Sequence, residues 1–187
     1  ERLGQSAEHK AHEAVDFVTS LFDSPRPGHM PPGRVTQHPQ LHAHNDELHD
    51  HPLVDALRAG SSSLEVDTQL VDGKLLIGHD LEQAKWWNRS LEDTYFKPLK
   101  QRIDRYGAVY TNSDAPPFTL EIEFKGDSTD SYRALKPLLH KYQNLLTRYQ
   151  DGQIIEGPIH VVLTGHIPRQ ARRDNPRLLA FDGSART

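Results

Sequence analysis

The stretch LHAHNDELHDHPLVDALRAGSSSLEVDTQLVDGKLLIGHD, residues 41–80, decides how this chain is read. It holds paired histidines, then two carboxylates spaced by two, then a further His-Asp. Residues i and i+2 of a strand project from one face, so His42 with His44, and Glu65 with Asp67, can each act as a pair. Hard cations want converging oxygens, and proton transfer near neutral pH wants histidine beside them. A hydrolytic metal site is the reading to test. A short strand over about 40–44 ends at the paired histidines. Pro52 suits a helix start, and PLVDALRAG stops at Gly60. SLEVDTQLV and KLLIG, joined by Asp72-Gly73, predict a hairpin that returns His79 and Asp80 towards the end of the first strand.

A second carboxylate strand raises the odds. In FTLEIEFK, residues 118–125, Glu121, Glu123 and Lys125 share one face while Leu120, Ile122 and Phe124 share the other. The carboxyl ends of neighbouring parallel strands converge on a functional rim. Three carboxylates from two strands could hold Mg²⁺ or Ca²⁺, with Lys125 facing a phosphate oxygen. The plain alternative is a solvated acidic strand face. Zinc is a further competitor, since HxH with other His and Asp suits it, but the second carboxylate strand would then have no task. His9, His12, His29, His38 and His140 are most cheaply read as bystanders; His49, His51 and His160 carry no clear role.

Farther out, residues 9–22 place Ala14, Val15, Val18, Leu21 and Phe22 on one helical stripe. Residues 23–33 are rich in proline and glycine and read as a linker. Ser90 or Asp93 caps a helix running through Tyr106, and another helix covers about 130–142 despite Pro137. Asp151-Gly152 marks a second hairpin within 145–156, and IHVVLT and LLAFDG complete the strands. This strand-helix alternation predicts a parallel sheet with crossover helices. The division is an N-terminal helix and linker over 1–34 and one α/β domain over 35–187.

With 187 residues, a net charge of -4 and no cysteine, the chain is a soluble type without disulfides or thiolate ligands and without the basic patch that nucleic acid requires. No apolar run approaches the roughly 20 residues of a membrane span. Glu1 follows no recognisable leader, which suits a soluble protein, secreted or periplasmic once a leader has been removed; the sequence does not fix the compartment.

HAHND at 42–46, PLVDAL at 52–57, SLEVD at 63–67, LVDGKLLIGHD at 70–80, SLEDTYFKPL at 90–99, FTLEIEFK at 118–125, and VVLTGHIPR followed by LLAFDG resemble the phospholipase C-like phosphodiesterase superfamily, which includes glycerophosphodiester phosphodiesterases and the spider-venom sphingomyelinase D enzymes. Within it they are most similar to the branch of the fungal "altered inheritance of mitochondria" protein. The resemblance implies a TIM-like barrel with Mg²⁺ or Ca²⁺ at its carboxyl rim. It makes Glu65, Asp67 and Glu123 the metal ligands, His79 one catalytic histidine, and Lys125 and Asn45 substrate-binding residues. The first catalytic histidine is His42 or His44; His44 heads the HND core and is preferred. The implied reaction is hydrolysis of a small phosphodiester or lipid head group. A catalytically impaired relative that binds a phosphorylated ligand or partner is the rival. Glu47 stands where the branch usually carries an aromatic, and Glu123 where Asp is common. About five strands fit before Thr187, against eight in a full barrel of about 250 residues. A half-barrel would leave an edge strand and an uncovered apolar face, and self-association could complete it.

Overall fold

The alternation of FTLEIEF becomes a strand with two unlike faces: Phe118, Leu120, Ile122 and Phe124 are buried, while Thr119, Glu121 and Glu123 are only partly covered. The computed structural model describes residues 28–111 and 115–182. The helix expected over 9–22 lies outside the described residues.

The elements are β1 (His38–Ala43), α1 (Val54–Ala59), β2 (Ser61–Val71), β3 (Lys74–Ile77), α2 (Leu81–Trp87), α3 (Lys97–Tyr106), β4 (Phe118–Phe124), α4 (Ser128–Lys141), β5 (Arg148–Gln150), β6 (Gln153–Ile155), β7 (Ile159–Thr164) and β8 (Ala180–Phe181). Five strands run parallel in the order β1-β2-β4-β7-β8, and β3 folds back antiparallel on β2. β5 and β6 form a separate hairpin. The sheet is mainly parallel with crossover helices, and it does not close into a barrel: β1 and β8 stand at its two edges.

The helix face of the sheet is the core. Leu64 and Val66 of β2, the four apolar residues of β4, and Ile159, Val161 and Leu163 of β7 pack with Leu57, Leu99, Ile103, Leu135 and Leu139 of the helices. Burying such side chains is worth about 1.5–3 kcal/mol each, the main drive for the layers to dock. The opposite face departs from expectation. It carries Ser63, Thr119, Glu121, Glu123, His160 and Thr164, so the uncovered side of the open sheet is mainly polar, with Val162 and Ala180 among its apolar exceptions. Water satisfies such a face at little cost, unlike an apolar one.

Local signals explain most boundaries. Gly60 ends α1 with φ 80°, and a Cβ there would meet the Thr36 carbonyl oxygen at 2.1 Å, so only glycine fits. Asp72 and Gly73 both take positive φ in the two-residue turn between β2 and β3. A π-helical turn, Glu92–Phe96, precedes α3. Pro98 lacks the N–H that would bond back to Thr94, and the turn widens there. No described helix is long and apolar enough to cross a membrane.

Candidate active site

The site grows from the gap between β1 and β3. Both strands pair along the same edge of β2, because β4 takes the other, and β1 stops at Leu64 while β3 begins at Thr68. Glu65 and Asp67 fall in that gap with their side chains on the polar face. Parallel register then sets Glu65 beside Glu121 and Asp67 beside Glu123. One carboxylate oxygen from each of Glu65, Asp67 and Glu123 lies within 4.8 Å of the others.

The hairpin returns His79 as its turn demands. Gly78 donates its N–H to the Asp67 carbonyl at 3.0 Å, and His79 Nδ1 lies 2.5 Å from Asp67 Oδ2. Two glutamines fix the His79 backbone: its N–H donates to Gln83 Oε1 at 2.8 Å, and its carbonyl accepts from Gln69 Nε2 at 3.1 Å. Asp80 is an N-cap, accepting from the Gln83 N–H at 2.8 Å. The sequence reading missed α2 and both glutamines. Asp80-x-x-Gln83 is a capping signature, and Gln69 shares the Asp67 face of β2, so each left a legible trace.

After β1 the chain turns sharply at Asn45, with φ 49° and ψ 50°. The Asn45 N–H donates to Glu65 Oε2 at 2.9 Å, and His44 Nε2 lies 3.9 Å from the same oxygen. His42 points elsewhere, its Nδ1 2.8 Å from Ser63 Oγ, with its ring centroid 6.5 Å from that of His44. His44 and His79 are solvent-exposed. Asn45 reaches the cluster through its backbone.

Lys125 leans over the acids, its Nζ 3.2 Å from both Asp67 Oδ1 and Glu123 Oε2. Burial draws its pKa down, but the adjacent Glu123 and Asp67 carboxylates outweigh that and hold the ammonium above its usual range. Gly165, just beyond β7 at φ 67°, packs so closely on Glu123 that a Cβ would come within 3.1 Å of its Cγ and Oε1.

Burial, then the neighbouring Asp67 and Glu123, push Glu65 up to about 7, against the pull of the Asn45 N–H. Glu47, fully buried behind the cluster, is pushed up by burial to about 8, although it accepts the Asp67 N–H at 3.1 Å. Burial also raises Asp46, whose Oδ2 accepts from the Leu53 N–H at 2.6 Å and the Tyr95 hydroxyl at 2.9 Å. Buried Oε1 of Glu65 has no hydrogen-bond partner, and Asp67 Oδ1 faces the Lys125 ammonium without a well-angled bond. Acidic oxygens crowded out of water in this way are costly unless something positive meets them. The donor set of that group is all carboxylate oxygen, which fits a hard cation.

The family model for the AIM6-like phosphodiesterase domain matches residues 34–182. The altered inheritance of mitochondria protein 6 of Lachancea thermotolerans is 31% identical over 149 residues, covering 70% of this chain and 34% of that protein. The Candida glabrata protein of the same name is 30% identical over 164 residues, covering 68% and 39%, and that of Kluyveromyces lactis 31% over 165, covering 72% and 39%. The chain thus spans little more than a third of these curated relatives. No solved structure gives a match. From residue 34 to residue 182, the chain belongs to the family of AIM6-like phosphodiesterase domains.

Proposed function

We propose that this chain is a metal-dependent phosphoric diester hydrolase of the phospholipase C-like kind, acting on a glycerol- or lipid-derived diester. The observation that carries the reading is one cluster. Three carboxylates share a cation-sized space, and a histidine stands on each side: His79 at 2.5 Å from Asp67 and His44 at 3.9 Å from Glu65.

Glu65, Asp67 and Glu123 would hold Mg²⁺ or Ca²⁺. When bound, the ion supplies Lewis-acid stabilisation of charge on a phosphoryl oxygen. Asp67 Oδ2, as a carboxylate, only accepts, so it fixes the proton on His79 Nδ1 and leaves Nε2 to exchange a proton with substrate. His44, whose ring makes no hydrogen bond to the described residues, is the second proton carrier. One imidazole takes the proton of a neighbouring substrate hydroxyl as that oxygen attacks phosphorus and the other gives a proton to the leaving oxygen, which leaves a cyclic diester; water then opens that ring with the two proton transfers reversed. Lys125 and the backbone at Asn45 border the space where the phosphoryl group would sit. His42, turned to Ser63, is the weaker candidate for the first histidine.

The test is a panel of generic, glycerol-linked and lipid phosphodiesters assayed with added Mg²⁺ or Ca²⁺ and with EDTA. Turnover that EDTA abolishes and either ion restores supports the reading. No hydrolysis under any condition refutes it and favours a protein that binds a phosphorylated ligand.

A further inference from the structure

The gap that exposes Glu65 and Asp67 creates a structural debt at the Asp67 backbone. Its carbonyl is met by Gly78, but on that edge no strand stands opposite its N–H. Asp67 is fully buried, and a buried N–H without a partner is rare and costly. The partner is Glu47 Oε2, at 3.1 Å.

We propose that Glu47 is a positioning residue: its side-chain oxygen replaces the missing strand and fixes the segment of β2 that carries Asp67, and through Asp67 it sets His79 and the carboxylate cluster. The proposal rests on the reading of that cluster as a cation and acid-base site. The geometry makes the strut rigid at both ends. Glu47 lies in a 3-10 turn, Asp46–Leu48, with no solvent exposure. That turn is tied down by Asn45, whose N–H bonds Glu65, and by Asp46, whose side chain accepts from Leu53 and Tyr95. Three consecutive residues thus act on three different parts: Asn45 on Glu65, Asp46 on the core, Glu47 on Asp67. A shift of the turn moves both members of the β2 pair at once. Asp67 Oδ2 in turn orients His79, so an error at the Asp67 backbone passes to the imidazole.

The strut works by reach, not by charge, and two substitutions separate these. Glu47→Gln keeps the acceptor and its length but removes the charge; Glu47→Asp keeps the charge and withdraws the acceptor by one methylene. The measurements on the full chain are amide exchange at Asp67 by ¹⁵N NMR without added metal, and Ca²⁺ and Mg²⁺ binding by calorimetry. Glu47→Gln is expected to retain Asp67 amide protection and cation affinity within about threefold. Glu47→Asp is expected to speed exchange at Asp67 by about tenfold or more and to weaken cation binding by a similar factor, with unchanged far-UV circular dichroism. The opposite order, Glu47→Asp resembling the wild type and Glu47→Gln losing both properties, overturns the proposal, as does equal exchange in all three proteins. Wild-type protein that binds neither ion defeats the cation reading separately, and the exchange comparison still decides the role of Glu47.

Discussion

His79 Nδ1 and Asp67 Oδ2 stand 2.5 Å apart across the β2–β3 hairpin, so an exposed imidazole is held by a carboxylate that takes no share of solvent. The pair ties the proton-exchange group to the acidic cluster through one residue. Replacing His79 by Ala should lower diesterase turnover on the order of 10²–10⁴ while the far-UV spectrum stays put. Asp67→Asn should lose both turnover and cation binding, whereas His79→Ala should lose turnover alone. Calorimetry with Mg²⁺ beside a steady-state assay tells these apart; cation binding lost in His79→Ala would contradict the assignment.

Stability of the metal-free protein should fall as pH rises. Glu65 and Glu47 have folded pKa values of about 7 and about 8, both above the ordinary glutamate value of 4.5. The folded state therefore holds more protons than the unfolded chain between pH 4.5 and 8, and the slope of unfolding free energy with pH is negative there. Thermal melts from pH 5 to 8 in EDTA should show a declining midpoint that levels off above about pH 8. Excess Ca²⁺ should flatten the decline, because an ion binding the ionised acids stabilises the folded state by mass action. A midpoint that climbs with pH in EDTA would contradict the burial of these two groups.

Gly165→Ala should be more harmful at the site than in the fold. The added methyl meets Glu123 at 3.1 Å, and the left-handed backbone at φ 67° strains any other residue. The backbone cost is about 1–2 kcal/mol. Glu123 must give way by a few tenths of an ångström, so cation affinity should drop several-fold. Titration of the variant against wild type checks this; equal affinity would mean Glu123 adapts without leaving the cluster.

Tyr95→Phe should destabilise by about 1–3 kcal/mol, because the fully buried Asp46 loses one of its two donors. Urea unfolding measures it. Loosening of the turn that bears Asn45 and Glu47 should make the same variant bind a cation more weakly.

The sheet was largely legible. FTLEIEF, read from its alternation, and IHVVLT, read as a buried-strand pattern, become β4 and β7 with the expected bounds, and the Asp72-Gly73 turn delivers His79 to Asp67 as the hairpin requires. These signals are local, with periodicity and turn chemistry agreeing. The helix α2 was not legible while Asp80 was taken for a chemical residue, when its side chain is spent on a cap. Pro137 sits on the exposed face of α4, where water serves the carbonyl it frees, so the helix runs on through it.

Within the site, Glu65, Asp67, Glu123, Lys125 and His79 converge because register and a tight hairpin are readable from spacing. The difference between His42 and His44 was not readable. It depends on the β1–β2 register, which sets His42 beside Ser63 and carries His44 on towards Glu65. Glu47 drew attention only as a departure from the branch's usual aromatic, because its contact with the Asp67 N–H comes from where β1 ends and β3 begins, a property of the pairing and not of any motif.

Lys125 carries the last consequence. A side chain bridging Asp67 and Glu123 is a counter-ion written into the polypeptide, supplied by the residue that follows the very strand bearing one of the acids. Part of the charge compensation for this crowd of acids is therefore built into the fold itself.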